Sequence, residues 1–178
     1  MKDQVKTLED IYIKYRSEIY NYLYYQTTNT HISEELCQEV FLKAFKGLAS
    51  YEGRSSIKTW LYCIAHNVYV SWYRREVKIE FLPLEKDLVN SLKALDGNPE
   101  VAVESKENTN EVIAILYKLK EEYRTVLILC ELHDLSYEEI STTLNWSLSK
   151  VKTTLYRARI QFKTLFEKEG DKNVVQCN

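Results

Sequence analysis

The sequence predicts an all-α protein made of two small helical domains joined by a linker, the C-terminal one containing a helix-turn-helix. The chain of 178 residues has only 4 Gly and 2 Pro, which are too few for the turns of a protein with many short strands. Apolar residues recur at spacings of three and four along most of the sequence, the period of an amphipathic helix. Both prolines, Pro83 and Pro99, fall in one polar central stretch. We therefore expect the chain to divide there.

The central stretch also has a distinct charge, because residues 79–110 contain seven acids against three lysines. Its composition is too polar and broken to supply a core, which is typical of a linker. The predicted boundaries are a helical domain over 1–80, an acidic linker over 81–110, a helix-turn-helix domain over 111–170 and a tail over 171–178.

Composition narrows the class of protein. The 26 Asp and Glu against 24 Lys and Arg give a net charge of -2, which argues against a protein that coats nucleic acid indiscriminately. The four cysteines form no CxxC pair, so neither a disulfide framework nor a zinc site is expected. The sequence lacks a signal-type apolar run near residue 1, and no stretch is long enough for a membrane span. We expect a cytoplasmic protein without cofactor or metal.

The first domain has a helix with two differently composed faces. Ser33, followed by Glu34 and Glu35, has the pattern of a helix start with an N-cap oxygen and acids in the first turn. The apolar stripe expected to be buried comprises Leu36, Val40, Ala44 and Leu48, with Cys37, Phe41 and Phe45 beside it. Polar side chains left outside it are Glu35, Gln38, Glu39 and Lys43.

A second helix, expected to start near Ser56, carries three stripes. Leu61, Ile64, Ala65, Val68 and Trp72 form the stripe predicted to be buried. Beside it lie Tyr62, His66, Tyr69 and Tyr73, and then Asn67, Ser71, Arg74, Arg75 and Lys78. Aromatic rings interleaved with cations suit unstacked bases, because every base has a face to stack on. A tyrosine-rich surface of an ordinary helical bundle is the alternative.

The strongest local signal lies between residues 136 and 159. Ser136 and Glu139 have the spacing of a capping box, which predicts a helix start. After a pause near residue 145, Ser147 can cap a second helix, so the pattern is helix, short turn, helix. Its apolar stripe is Val151, Leu155, Ala158 and Phe162. Another face of this helix is predicted to project outward and to carry hydrogen-bond donors for base edges and phosphates. Its residues are Ser149, Lys150, Thr153, Thr154 and Arg157. A merely solvated basic face is the alternative.

Two stretches resemble one known family. Residues 33–75, especially SEELCQEVFLKAF and GRSSIKTWLYCIAHNVYVSWYRR, resemble region 2 of the sigma-70 family in its extracytoplasmic function (ECF) group. Residues 115–166, with LKEEYRTVLILCELHDLSYEEISTTLNWSLSKVKTTLYRARIQF, resemble region 4 of the same group. The two resemblances occur in the right order, and the linker between them matches the absence of region 3 in that group.

The resemblance implies a dissociable initiation subunit of bacterial RNA polymerase that has no enzymatic activity of its own. It assigns contacts with core polymerase to Glu35, Gln38, Glu39 and Lys43. It assigns recognition of the −10 element and strand opening to Tyr51, Gly53, Arg54, Ser55, Ser56, Lys58, Asn67, Ser71, Arg74 and Arg75. It assigns the −35 element to Ser147, Ser149, Lys150, Lys152, Thr153, Thr154 and Arg157. The acidic linker would thread the polymerase interior, and an anti-sigma factor is a plausible further partner.

The chain departs from the family pattern at a few of these positions. Cys63 and His66 stand where family members often have arginine, and Ser71 stands where aspartate is common. Thr154 stands where many members have arginine, and loss of a guanidinium removes a possible bidentate base contact worth about 1–3 kcal/mol of discrimination. We therefore expect the contacts of both domains with promoter DNA to differ from the common pattern.

Other functions remain open from the sequence. A stand-alone helix-turn-helix regulator with an N-terminal sensing or dimerisation bundle would bind duplex DNA without polymerase. An interaction module without DNA function would tolerate alanine at Lys150 and Arg157. An enzyme has little support, because Cys63 and His66 have no second ligand pair and the chain has no phosphate-binding glycine loop or GxSxG motif.

Overall fold

A computed structural model describes the backbone over residues 2–80 and 103–175, and side chains over 8–76 and 111–168. Within these ranges the protein is helical and has no strand. The seven α-helices are α1 (Lys2–Thr27), α2 (Thr30–Gly47), α3 (Ile57–Glu80), α4 (Val103–Lys118), α5 (Glu121–Leu127), α6 (Tyr137–Leu144) and α7 (Leu148–Val175). We call α1–α3 the N-terminal domain and α4–α7 the C-terminal domain. The all-α prediction is confirmed.

The start of α2 differs from its prediction. The side chain of Asn29 caps this helix by accepting a hydrogen bond from the backbone N–H of Ile32 at 3.0 Å. Ser33 is therefore not the cap but a buried residue within the helix, and its hydroxyl donates to the carbonyl of Asn29 at 2.6 Å. The side-chain oxygen of Asn29 thus satisfies one free backbone N–H a turn earlier than predicted, so the predicted start is wrong by about one turn.

The buried face of α2 is largely as predicted. Leu36, Val40 and Ala44 are buried against α1 and α3, together with Cys37 and Phe41. Phe45 is 51% exposed, so its prediction as a core residue is wrong. Positions 41 and 45 lie one above the other, but only the first is covered, by Tyr12 of α1 at a ring separation of 4.9 Å.

Helix α3 begins where the sequence predicted, with Ser56 Oγ accepting from the backbone N–H of Thr59 at 3.0 Å. Leu61, Ala65 and Val68 are buried, and so are Tyr62 and Tyr69, both with no exposed surface. The expectation of an accessible aromatic stripe is therefore wrong in this structure. These two rings lie between the two domains instead.

The helix-turn-helix of the C-terminal domain is confirmed. Both hydrogen bonds of the Ser136–Glu139 capping box are formed at the start of α6. Asn145 ends that helix in the left-handed conformation, with φ of 53°, and Ser147 Oγ caps α7 by accepting from Lys150 N at 3.2 Å. Because asparagine tolerates positive φ better than most residues, the tight turn costs little at this position.

The two domains pack against each other through α1, α3, α5 and α6. Across this contact, Gln26 Nε2 donates to Thr125 Oγ1 at 2.9 Å, and Tyr62 OH lies 2.8 Å from His133 Nδ1. Helix α4 begins at Val103, inside the range that the sequence assigned to the linker. The rest of that predicted linker, 81–102, and the last tail residues lie outside the described residues.

Candidate DNA and polymerase interfaces

The exposed face of α7 presents most of the residues assigned to duplex DNA. Ser147, Ser149, Lys150, Lys152, Thr153 and Arg157 are all exposed. Thr154 is only 8% exposed, so the expectation that it projects toward the groove is wrong. It lies three residues after Val151 and four before Ala158, and this spacing places it on the buried stripe.

Two contacts hold Lys150 in place. Its ammonium lies 3.7 Å from the ring centroid of Trp146 and 3.3 Å from Glu122 Oε1 at the start of α5. Arg159 is bonded more fully within the same domain, since its Nε and Nη2 donate to Glu131 Oε1 at 2.9 Å and 2.6 Å. The α7 surface that can reach a phosphate therefore centres on Lys150, Lys152 and Arg157.

Substituting Glu122→Gln is expected to strengthen binding to duplex DNA about threefold, because an exposed pair of this kind contributes about 0–1 kcal/mol and competes with a phosphate for Lys150. The measurement is fluorescence anisotropy of the full chain with duplex DNA over a range of salt concentrations, where the salt slope should steepen as Lys150 gains a phosphate. Glu138→Gln, an exposed acid on α6, is the control. Equal effects of the two substitutions would contradict the competition.

The loop before α3 forms a small aromatic pocket. The ring of Tyr51 lies 5.0 Å from that of Trp60, and its hydroxyl donates to the carbonyl of Ser55. Gly53 has φ of 70°, which favours glycine, and Arg54 pairs with Glu52 at 2.6 Å. An open pocket of about 330 Å³ is bordered by Tyr51, Glu52, Arg54, Ser55 and Trp60. A preformed pocket with aromatic rings and a nearby cation can accept an unpaired base.

The polar stripe of α3 lies at the edge of the contact between domains. Asn67, Ser71, Arg74 and Arg75 are exposed, and Ser71 Oγ donates to the carbonyl of Asn67 at 2.7 Å. Lys58 is not available in the same way: its ammonium donates to the carbonyl of His133 at 3.0 Å and lies 3.4 Å from Glu18. Asn67, Ser71 and Arg74 thus lie together on one exposed stripe, whereas the Lys58 ammonium is bound by His133 and Glu18.

Two positions that depart from the family pattern are turned inward. His66 Nδ1 lies 3.2 Å from the hydroxyl of Tyr22, and burial lowers the pKa of His66 to about 4. Cys63 Sγ lies 3.7 Å from the carbonyl oxygen of Thr142 in α6, and burial raises the pKa of this thiol. Near neutral pH neither side chain supplies the cation that an arginine would bring to DNA.

Stability is expected to fall as the pH drops from about 6.5 toward 4. Burial lowers the pKa of both His66 and His133 to about 4, while an unfolded histidine titrates near 6.5. Between these values the unfolded state binds more protons, so the free energy of unfolding decreases with falling pH, by up to about 1.4 kcal/mol per pH unit for each histidine. Above about 6.5 the two groups add no pH dependence.

Urea unfolding at pH 7.0, 6.0 and 5.0 measures this effect. His133→Gln keeps an oxygen that can accept from Tyr62 but cannot be protonated in this range, so it should flatten the slope. His31→Gln, at an exposed position, is the control. If His133→Gln and His31→Gln changed the slope equally, the assignment to the buried histidine would be wrong.

The surface assigned to core polymerase lies on the exposed side of α2. Glu35, Gln38 and Lys43 are exposed and Glu39 is half-buried, with Lys43 Nζ 2.9 Å from Glu39 Oε1. Leu42, 61% exposed, lies among them, as does Phe45. Sequence reasoning did not place these apolar residues on this surface, because it assigned Phe45 to the buried stripe and did not consider Leu42.

Sequence reasoning also did not find Trp60, Glu121, Glu122 or Trp146 as parts of these surfaces.

The described side chains contain no group of three or more His, Cys, Asp or Glu residues placed to hold a metal ion. Along the same part of the chain, no helix combines the length and apolar character needed to cross a membrane.

Comparisons with known proteins agree with this geometry. Residues 11–79 match the family described as sigma-70 region 2, and residues 109–162 match sigma-70 region 4. The chain is 45% identical to the RNA polymerase sigma factor YlaC of Bacillus subtilis, over 88% of this chain and 90% of that protein. It is 32% identical to the ECF sigma factor SigM of the same organism, over 91% of this chain and 96% of that protein.

Solved structures share the fold. The sigma factor RpoE of Bartonella quintana, in complex with the anti-sigma factor NepR, superposes with a TM-score of 0.72 at 20% identity, covering 91% of this chain and 98% of that one. CnrH, in complex with the cytosolic domain of CnrY, gives a TM-score of 0.69 at 16% identity, covering 92% of this chain and 89% of that one. From the matched regions and the sequence identities, the chain belongs to the sigma-70 family, in its ECF group, and is a non-enzymatic sigma factor that directs RNA polymerase to promoters.

Proposed function

We propose that three separate surfaces divide the work of promoter initiation. The exposed side of α2, with Glu35, Gln38, Glu39 and Lys43, binds core polymerase. The loop over residues 51–56 and the Asn67, Ser71, Arg74 and Arg75 stripe of α3 engage the −10 element. The exposed face of α7 binds the −35 element through Ser147, Ser149, Lys150, Lys152, Thr153 and Arg157. We place this activity in the cytoplasm.

The observation that carries this proposal is the pocket at the loop before α3. Its aromatic walls and the neighbouring Arg54 suit a base that has left the duplex, whereas a regulator that reads only duplex DNA has no use for such a pocket. The helix-turn-helix supplies duplex recognition at the other end of the chain. One protein thus offers both duplex and single-strand contacts, as strand opening at a promoter requires.

The domain limits follow the same division. We propose a region-2 domain over 1–80, a linker that starts at 81 and ends before α4 begins at Val103, a region-4 domain from α4 to 170, and a tail over 171–178 into which α7 continues as far as Val175. A linker with an excess of acids would pass through the polymerase interior, where a negative chain resembles RNA.

An anti-sigma factor is the further partner that we propose. The C-terminal domain has an apolar groove of about 110 Å³ bordered by Val112, Leu116, Leu127, Leu132 and Phe162, and Leu132 is 40% exposed. An apolar groove on a small domain favours a protein partner over a nucleic acid. One structural relative, RpoE of Bartonella quintana, is bound to an anti-sigma factor, which supports the same class of partner.

The decisive experiment mixes the purified chain with core RNA polymerase of Bacillus subtilis and genomic DNA of the source bacterium, and maps the transcripts by sequencing. We expect transcripts that start downstream of a shared pair of elements, and none from core alone. Binding to duplex DNA without core association or promoter-directed transcripts would favour a stand-alone helix-turn-helix regulator and overturn the proposal.

A further inference from the structure

Helix α7 carries one large aromatic side chain in the middle of its exposed face. Tyr156 is 67% exposed. Within the described part of the chain, its ring forms no aromatic or cation–π contact and its hydroxyl forms no hydrogen bond. The exposed rings of Tyr12 and Tyr117, in contrast, lie against Phe41 and Arg124. Tyr156 therefore contributes little to the packing of its own domain.

The helical repeat places Tyr156 within the surface proposed for the −35 element. Ser149, Thr153 and Tyr156 are spaced by four and three residues, so they share one side of α7. The buried Val151 and Leu155 lie on the other side. With a rise of about 1.5 Å per residue, the tyrosine stands about 4.5 Å along the helix axis from Thr153. A duplex that seats Thr153 against its base edges therefore meets this ring as well.

The chemistry of the ring limits what it can read in DNA. In the major groove the base edges present hydrogen-bond donors and acceptors, and the 5-methyl group of thymine is the apolar group among them. A tyrosine ring can cover this methyl group and remove it from water, which is a gain that the other three bases do not offer. Thr154, 8% exposed, provides no polar contact at this level of the helix. The middle of the exposed face thus suits an apolar contact between the polar side chains of Thr153 and Arg157.

A protein partner is the alternative for an exposed ring, since Ile160, one turn further along α7, is 50% exposed. Two such side chains form a small apolar patch, of the size that monomeric proteins commonly expose. The exposed Lys152 and Arg157 give the surface around Tyr156 a positive charge. That charge favours phosphates beside the ring, so DNA is the partner that fits this surface better.

We propose that Tyr156 is a specificity-determining residue of the −35 contact, with its ring packed on the 5-methyl group of a thymine in the major groove. This contact rests on the proposed function, because it requires the exposed face of α7 to enter that groove. The −35 element should then contain a T·A pair close to the base pairs that Thr153 and Arg157 contact.

Removing the methyl group from the DNA, one thymine at a time, tests the contact directly. Deoxyuridine replaces each thymine of the −35 element found by the transcript mapping above, and it lacks only the 5-methyl group while it pairs with adenine as before. Fluorescence anisotropy measures the binding of each duplex by the full chain together with core polymerase. We expect one replacement to weaken binding about fourfold, the effect of one methyl group that is no longer buried, and the others to leave it unchanged.

Three variants assign the effect to the ring. Tyr156→Ala should bind the unmodified duplex about tenfold more weakly and should no longer distinguish deoxyuridine from thymine, as expected when the two changes remove the same contact. Tyr156→Phe keeps the ring and loses only the hydroxyl, so it should still distinguish them. Phe166→Ala removes an exposed ring farther along α7 and is the control. Circular dichroism checks that each variant is folded.

Selection from a duplex library randomised over the −35 element locates the contact independently. The unsubstituted chain with core polymerase should enrich thymine at one position. Tyr156→Ala should lose the enrichment at that position and keep it at the others. Loss of enrichment at every position would mean that the substitution disturbs the docking of α7 as a whole, which contradicts a role in reading one base.

The outcomes separate the thymine contact from the function. If Tyr156→Ala stays sensitive to deoxyuridine, or if no replacement weakens binding, the thymine contact is wrong while the proposed function stands. Equal losses of affinity in Tyr156→Phe and Tyr156→Ala would assign the contact to the hydroxyl and a phosphate, and an unchanged affinity in Tyr156→Ala would assign the ring to a protein partner. Either result overturns the proposal. If the unsubstituted chain with core polymerase does not prefer the −35 element to a scrambled duplex, the proposed function itself fails.

Discussion

Reversing two charges on α2, Glu35→Lys with Glu39→Lys, is expected to weaken binding of core polymerase about a hundredfold, or about 2.7 kcal/mol. An acidic contact surface implies a basic surface on the partner, and placing like charges opposite each other costs several kcal/mol. Neither glutamate is part of the core of its domain, and their contacts with His31 and Lys43 are exposed and weak. Folding should therefore be preserved.

Biolayer interferometry with immobilised core polymerase measures this affinity, and circular dichroism measures folding. The matched control is Glu9→Lys with Asp10→Lys, which makes the same change in net charge at exposed positions of α1. We expect the control to stay within about threefold of the unsubstituted chain, because a distant rim charge mainly affects the association rate. Equal losses in both variants would mean that net charge, rather than the α2 surface, governs binding.

The second large effect is expected on the recognition helix. Lys150→Ala with Arg157→Ala should reduce promoter-directed initiation between about tenfold and a hundredfold. A bidentate base contact is worth about 1–3 kcal/mol, and each lost phosphate contact lowers the salt slope by about one unit. Both cations are exposed, so truncation should leave the domain folded.

Run-off transcription at several salt concentrations measures this loss. Lys163→Ala with Lys168→Ala removes the same charge from the exposed C-terminal part of the same helix and is the control. Core binding should be unchanged in both variants, because the α2 surface is intact. If initiation survived the Lys150 and Arg157 substitutions, α7 would not read the promoter, and an interaction module without DNA function would become the better interpretation.

Local patterns predicted the helix-turn-helix well. The capping box at Ser136 and Glu139 and the stripe of Val151, Leu155 and Ala158 act within one or two turns of helix, so the sequence contains their whole cause. The prediction for the start of α2 was wrong. Sequence reasoning considered only Ser33 as the cap, whereas the structure uses Asn29, one turn earlier.

Predictions that depended on which face is covered were less successful. Tyr62 and Tyr69 are buried by contacts with His133 and Arg124, more than fifty residues further along the chain, and no local period signals such a partner. The prediction for Thr154 was wrong for a different reason. The buried face of a helix can be wider than its stripe of apolar residues, so that a threonine beside the stripe is also buried. The periodicity of the sequence thus shows which residues share a face of a helix. Contacts with residues far along the chain determine which of those faces are buried.

The ring of Trp146 beneath the Lys150 ammonium has a practical consequence. Indole emission responds to a nearby charge, and the chain has only 3 Trp, of which Trp60 and Trp72 belong to the other domain. When a phosphate draws Lys150 away from its place 3.7 Å from the ring centroid, the emission of that single indole should change. The turn between α6 and α7 thereby contains a natural optical probe of promoter engagement, which could follow the protein in real time without an added dye.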